Sequence, residues 1–142
     1  MRPIFKNKDL ENQFHKNGYV IVSFLNKDQI QQIEGVYHKN FSGITTGFYS
    51  TLYSNDNSYK AKIDDEIKEI CIHNHLEVLD NYKWLVANFM IKEPGPESEL
   101  PVHQDWNLVD EENYISVNCW MPITPVTKSN GPLNGQGSIK FR

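Results

Sequence analysis

The sequence NFMIKEPGPESELPVHQDW, residues Asn88–Trp106, carries most of the information about how this chain folds. It begins with a short apolar run, continues through a turn rich in proline and glycine, and ends on a histidine and an aspartate two residues apart. Side chains of a strand alternate between its faces, so His103 and Asp105 would project on one side and Gln104 on the other. This stretch therefore predicts a strand that offers an imidazole and a carboxylate to one metal ion.

A site of two histidines and one carboxylate leaves three positions open on Fe(II), enough for a bidentate co-substrate and O₂. The spacing of His103 and Asp105 is weak evidence when taken alone. A solvated histidine and aspartate at the end of a strand would give the same pattern. The sequence around His103 and Asp105 distinguishes these two interpretations.

Length and composition indicate one folded domain over residues 1–142. The chain is 39% hydrophobic and 12% aromatic, with a net charge of -4. It has no basic block, which argues against a nucleic-acid partner or an anionic membrane surface. No apolar run approaches the roughly 20 residues of a membrane span, so we expect a cytoplasmic protein. For Cys71 and Cys119, free buried thiols are favoured over a disulfide, which stays open.

Residues 1–83 are predicted to be mainly helical. Asn7 can cap a first helix that exits at Gly18, and Asn26 with Gln29 forms the pattern of a capping box for a second. A third helix is expected from about Asp64 to His75. A strand is predicted at Tyr19–Phe24 and a long surface loop at 43–59. The inward-facing side chains would be Leu10 and Phe14 in the first helix, Ile30, Ile33, Tyr37 and Phe41 in the second, and Ile63, Ile67, Ile70 and Cys71 in the third.

From Trp84 onward the sequence pattern is that of strands. The runs WLVANFMIKE, LPVHQD and YISVNCWMPI are separated by turn material. Helices followed by antiparallel-type strands predict an α+β domain or an all-β domain decorated with helices. A parallel βαβ sheet is not expected, because no helical pattern separates the late strands.

Four stretches in this order resemble the phytanoyl-CoA dioxygenase family of Fe(II)- and 2-oxoglutarate-dependent oxygenases. They are FHKNGYVIVSFLNKDQIQQI, the stretch quoted first, YISVNCWMPI and SNGPL. The likeness covers nearly the whole chain. It implies N-terminal helices packed on a double-stranded β-helix, a jelly-roll or cupin-like core, of which residues 84–142 would form the first half.

The resemblance also implies a set of site residues. His103 and Asp105 would be the catalytic iron ligands, and Met90, Gln104 and Trp120 would contact 2-oxoglutarate, the co-substrate. O₂ and a small-molecule substrate would complete the reaction. Ordinary core packing is the alternative for Met90 and Trp120, and Gln104 would equally well point away from the metal.

Two parts of the family pattern have no counterpart here. The family takes a third ligand, a histidine, from a later strand and holds 2-oxoglutarate with a basic residue, usually arginine. No histidine follows His103, Ile139 stands where that histidine is expected, and the arginines are Arg2 and Arg142. The other histidines lie in the first half: His15, His38, His73 and His75.

Three explanations of these departures follow from the sequence. The chain is part of a longer oxygenase, or it completes its sheet by self-association with another subunit, or it is a catalytically inactive relative that serves as a binding domain. A cupin-like protein for another metal is a further alternative. It would need additional histidine or glutamate ligands near the strands. The nearby candidates are in polar loop sequence, where solvated side chains are favoured: Glu97, Glu99 and Glu111.

Overall fold

The computed structural model describes residues 2–41, 43, 47–99, 108–110 and 112–126. In this part of the chain three helices accompany one antiparallel pair of strands: α1 (Lys8–Asn17), α2 (Lys27–Asn40), β1 (Phe48–Ser50), α3 (Asn57–Val78) and β2 (Met90–Lys92). Short 3₁₀ helices follow each strand, at Thr51–Tyr53 and Pro96–Ser98. The α+β prediction is confirmed at this level. The double-stranded β-helix stays a prediction.

The two N-terminal helices begin where their caps predict. The Asn7 side chain accepts hydrogen bonds from the backbone N–H groups of Asp9 and Leu10, and Gly18 ends α1 at φ +75°. At α2 both bonds of the capping box are present between Asn26 and Gln29. These boundaries were predictable because capping depends on a few adjacent residues.

The third helix is longer than predicted. It starts at Asn57, behind an Asp56 cap, and reaches Val78. The predicted loop 43–59 was therefore wrong in part, since it contains β1, a 3₁₀ helix and the first turn of α3. In this region the hydroxyls of Ser50 and Ser54 and the carboxylate of Asp56 accept hydrogen bonds from nearby backbone N–H groups. Such polar side chains give the sequence the composition of a loop.

The core consists of two clusters of buried apolar side chains. The first is built from the N-terminal segment, the segment after α1 and the residue after α3, and the second lies between α2, α3 and β2. The first contains Ile4, Phe5, Val20 and Leu79. The second contains Ile33, Ile63, Ile67, Cys71 and Phe89. The inward stripe predicted for α3 is confirmed, with Ile70 partly buried beside it.

Most of the predicted strands are not formed in the described residues. The segments 20–26, 84–89 and 114–122 have no regular secondary structure, and of WLVANFMIKE only Met90–Lys92 is a strand. Side chains in the first of these segments still alternate between buried and exposed although the segment is not paired as a strand: Val20 is 1% exposed and Ile21 is 59% exposed. A strand requires a hydrogen-bonded partner, and alternation alone does not supply one. The predicted strand LPVHQD lies outside the described residues.

Among the described residues, no helix combines the length and the apolarity that crossing a bilayer requires.

Candidate functional site

The pairing of β1 with β2 defines two faces at the start of the predicted site. The register is antiparallel, with Ser50 opposite Met90 and Phe48 opposite Lys92. Side chains directly opposite each other share a face, so these four lie on one side of the pair. Tyr49 and Ile91 lie on the other side.

The face with Tyr49 and Ile91 is covered by the helices. Ile91 packs on the second core cluster, and the Tyr49 ring lies 6.1 Å from the ring of Phe41, which follows α2. Tyr37 in α2 stacks on Phe41 at 5.2 Å and meets Phe89 edge-on at 5.4 Å. Burial, with the Glu93 carboxylate nearby, raises the pKa of Tyr37.

The face with Phe48, Ser50, Met90 and Lys92 is named the open face. Met90 is 56% exposed and Lys92 is also exposed, whereas Phe48 is partly buried and Ser50 is buried. Core packing therefore does not account for Met90, which packs on neither core cluster. A cation beside an exposed thioether and a partly buried aromatic ring is suited to a small anion that carries an apolar chain.

Buried hydrogen bonds fix the register of the two strands. The Thr51 N–H donates to the Phe89 carbonyl at 3.0 Å, and the Phe89 N–H donates to Thr51 Oγ1 at 3.1 Å. The Asn88 amide donates to Ser50 Oγ at 2.9 Å. Thr51 is 1% exposed, so its bonds are shielded from water. The open face is thus held by groups that cannot shift independently.

The loop after β2 is packed against the residue before β1. The Glu93 N–H donates to the Gly47 carbonyl at 3.0 Å, and Gly47 has φ +75°. A Cβ at Gly47 would lie 2.8 Å from the Glu97 carbonyl oxygen. Ser98 is buried and its hydroxyl donates to the Gly95 carbonyl at 2.8 Å. This loop leads directly to the segment that holds the predicted metal ligands.

The roles predicted for all the site residues stay predictions. Three of these residues, His103, Gln104 and Asp105, also lie outside the described part of the chain. Within the described ranges, no group of three or more histidine, cysteine, aspartate or glutamate side chains could hold a metal ion.

Trp120 has a different environment from Met90. It is partly buried and packs against the first core cluster, as does Val117, whereas Met121 and Ile123 pack on the second cluster. The segment therefore spans both clusters, and core packing remains the alternative for Trp120. Its contact with 2-oxoglutarate stays a prediction.

The described histidines already have local partners. His75 is 8% exposed, its Nε2 lies 2.9 Å from the Tyr82 carbonyl oxygen, and its ring meets Trp84 at 5.6 Å. The other three lie next to a glutamate on their own helix. These pairs are His15 with Glu11, His38 with Glu34 and His73 with Glu77.

The two cysteines are free thiols. Cys71 is buried as predicted, and burial raises the pKa of its thiol to about 11. Cys119 is exposed, which differs from the prediction. Cys71 is therefore a packing residue rather than a nucleophile.

Three residues of the open face, Phe48, Ser50 and Lys92, were not predicted as site residues from the sequence. The position of Lys92 was predictable, because it follows Met90 by two residues in a strand and so shares its face. Its neighbours on β1, Phe48 and Ser50, were not predictable, because β1 lies in a segment with the composition of a loop.

Comparison with known proteins gives a family match. The family model described as phytanoyl-CoA dioxygenase (PhyH) matches residues 50–134, which include β1's last residue, α3 and β2. No curated protein and no solved structure shows a significant match to the chain.

Proposed function

The chain belongs to the phytanoyl-CoA dioxygenase family, and we propose that it binds Fe(II) and 2-oxoglutarate and oxidises a small-molecule substrate. The observation that carries the proposal is the open face of β1 and β2. Met90, the family's co-substrate contact by resemblance, is exposed there beside a cation, on strands whose other face is covered.

The donor set at 103–105 fits Fe(II) by its chemistry. His103 would supply an imidazole nitrogen and Asp105 a carboxylate oxygen, a combination that suits a non-haem iron site. The sequence contains no histidine after His103. The family's third ligand, a histidine from a later strand, therefore has no counterpart after His103, and in its absence water would occupy that position.

The open face fits 2-oxoglutarate on three counts. Lys92 offers a positive charge, Met90 and Phe48 offer apolar contact, and the helices behind the strands keep water from the opposite side. With Fe(II) bound, the co-substrate and O₂ supply a two-electron oxidation, in which 2-oxoglutarate becomes succinate and CO₂ while one oxygen atom enters the substrate.

This chain's residues would position the reactants rather than transfer protons. The Thr51–Phe89 and Asn88–Ser50 hydrogen bonds hold the open face at a fixed distance from the second core cluster. The close approach of Gly47 to Glu97 holds the start of the loop that leads to His103. Small misplacements of positioning groups have large effects on rate, so these contacts bear on activity.

Conversion of 2-oxoglutarate to succinate tests the proposal. Purified protein with Fe(II), 2-oxoglutarate and O₂ should form succinate above the level given by Fe(II) alone, and Asp105→Ala should reduce that excess by at least about 100-fold. Asp65→Ala, at an exposed position on α3, is the matched control and should retain the wild-type rate.

Equal succinate formation by the wild-type protein and Asp105→Ala would refute the ligand assignment. No formation above background by the wild-type protein would instead support an inactive relative that serves as a binding domain.

A further inference from the structure

Binding of 2-oxoglutarate requires a cation for the carboxylate that does not face the metal, and the arginines do not provide an evident one. The Arg2 guanidinium donates to the Asp80 carbonyl at 3.2 Å and to the Asn81 carbonyl, and it lies 5.7 Å from the Tyr82 ring centroid. Arg2 is therefore engaged at the end of α3. Arg142 lies outside the described residues.

Lys92 lies on the same face of the strand pair as Met90, the residue that the resemblance assigns to 2-oxoglutarate. It shares the open face with Met90, two residues earlier on β2, and stands opposite Phe48 on β1. Its side chain is exposed and makes no hydrogen bond or ion pair with another described residue. Its ammonium group is therefore not neutralised within the described part of the protein.

The nearest acidic residue in sequence faces away from Lys92. Glu93 follows it directly, and alternation along the chain sends the two side chains to opposite sides. The Glu93 carboxylate acts on Tyr37, whose pKa it helps to raise, on the side covered by the helices. The Glu93 carboxylate therefore does not offset the positive charge of Lys92 on the open face.

We propose that Lys92 binds the distal carboxylate of 2-oxoglutarate, with Met90 and Phe48 against its carbon chain. The inference rests on the proposed function and adds the residue that distinguishes a dicarboxylate from a monocarboxylate. A charge-assisted hydrogen bond from a lysine to a carboxylate supplies this discrimination, because a 2-oxoacid without the second carboxylate leaves the ammonium unpaired.

Binding of two ligands by two variants tests the role of Lys92. Dissociation constants for 2-oxoglutarate and for 2-oxopentanoate, which has the same chain length but lacks the distal carboxylate, are measured anaerobically by calorimetry on the Fe(II)-loaded protein. Lys92→Gln should weaken 2-oxoglutarate binding about 10-fold to 100-fold and leave 2-oxopentanoate binding unchanged. Lys92→Arg should restore most of the affinity.

Lys83→Gln is the matched control, since Lys83 is also exposed but lies outside both strands, and its binding constants should equal those of the wild type. Equal melting temperatures would show that Lys92→Gln folds normally. The role of Lys92 would be overturned if Lys92→Gln bound 2-oxoglutarate as tightly as the wild type does. It would also be overturned if the variant lost affinity equally for both ligands. Neither result would overturn the proposed function. Absence of wild-type binding to either ligand would overturn the proposed function as well.

Discussion

Gly47 is the residue whose conformation sets how closely the loop after β2 approaches β1. It has φ +75°, and a Cβ there would meet the Glu97 carbonyl oxygen at 2.8 Å. Two separate costs therefore apply to any larger residue: a left-handed backbone and a clash with backbone atoms that cannot rotate away.

Gly47→Ala should lower the free energy of unfolding by about 1–3 kcal/mol, measured by urea denaturation. Gly18→Ala separates the two costs, because Gly18 has the same φ of +75° but nothing within 4 Å of its Cβ position. It should lose only the smaller, conformational part. Gly35→Ala, within α2 and also unobstructed, should gain about 0.5–1 kcal/mol. A Gly47→Ala protein as stable as wild type would contradict the close approach.

The carboxylate of Glu11 links α1 to the N-terminal segment, which in turn pairs with the end of α3. Glu11 in α1 accepts hydrogen bonds from the backbone N–H groups of Ile4 and Phe5, both at 2.9 Å, and its other oxygen lies 2.8 Å from His15 Nε2. The residues it holds also pair with the end of α3, since Phe5 bridges to Leu79. Glu11 thus connects α1, the N-terminal segment and α3.

Stability should depend on pH through this group. Burial alone would raise the pKa of the Glu11 carboxyl, but the N–H groups of Phe5 and Ile4, with His15, lower that pKa below its ordinary value of 4.5. A lowered folded-state pKa contributes stability that is complete above 4.5 and is lost as pH falls through the folded-state value. Glu11→Gln should therefore cost about 1 kcal/mol near pH 6 and less near pH 3.5.

Urea denaturation of both proteins at the two pH values measures this difference. Glu34→Gln is the control, because Glu34 is exposed and only 3.9 Å from His38 on its own helix, and it should change stability little at either pH. A cost for Glu11→Gln that is the same at both pH values would contradict the role assigned to its charge.

Helices were predictable from the sequence to a degree that strands were not. Asn7, Asn26 and Gln29 act on backbone groups within three residues of themselves, so the sequence contains their whole mechanism. The start of α3 was misplaced because Asp56 lies among polar residues that suit a loop equally well. β1 is only three residues long, and its existence depends on a partner about 40 residues away.

Across the whole chain, the order of the sequence motifs is enough to identify the family. The family match over residues 50–134 confirms that identification, although several elements that a jelly roll requires are absent from the described residues. The resemblance to the family also implied that Met90 contacts 2-oxoglutarate, and this contact stays a prediction. The resemblance did not show that Met90 is exposed beside Lys92, because that depends on which face of β1 and β2 the helices cover.

The proposal that His103 and Asp105 bind Fe(II) for use with 2-oxoglutarate is tested by an anaerobic titration of the purified protein with Fe(II) and 2-oxoglutarate. The visible metal-to-ligand charge-transfer band of the iron–2-oxoglutarate chelate is followed in the wild type, His103→Ala and His73→Ala, the last a control at an exposed histidine paired with Glu77. We predict a saturable band in the wild type and His73→Ala that is lost in His103→Ala. A band of equal strength in all three proteins, or none in the wild type, would contradict the proposal.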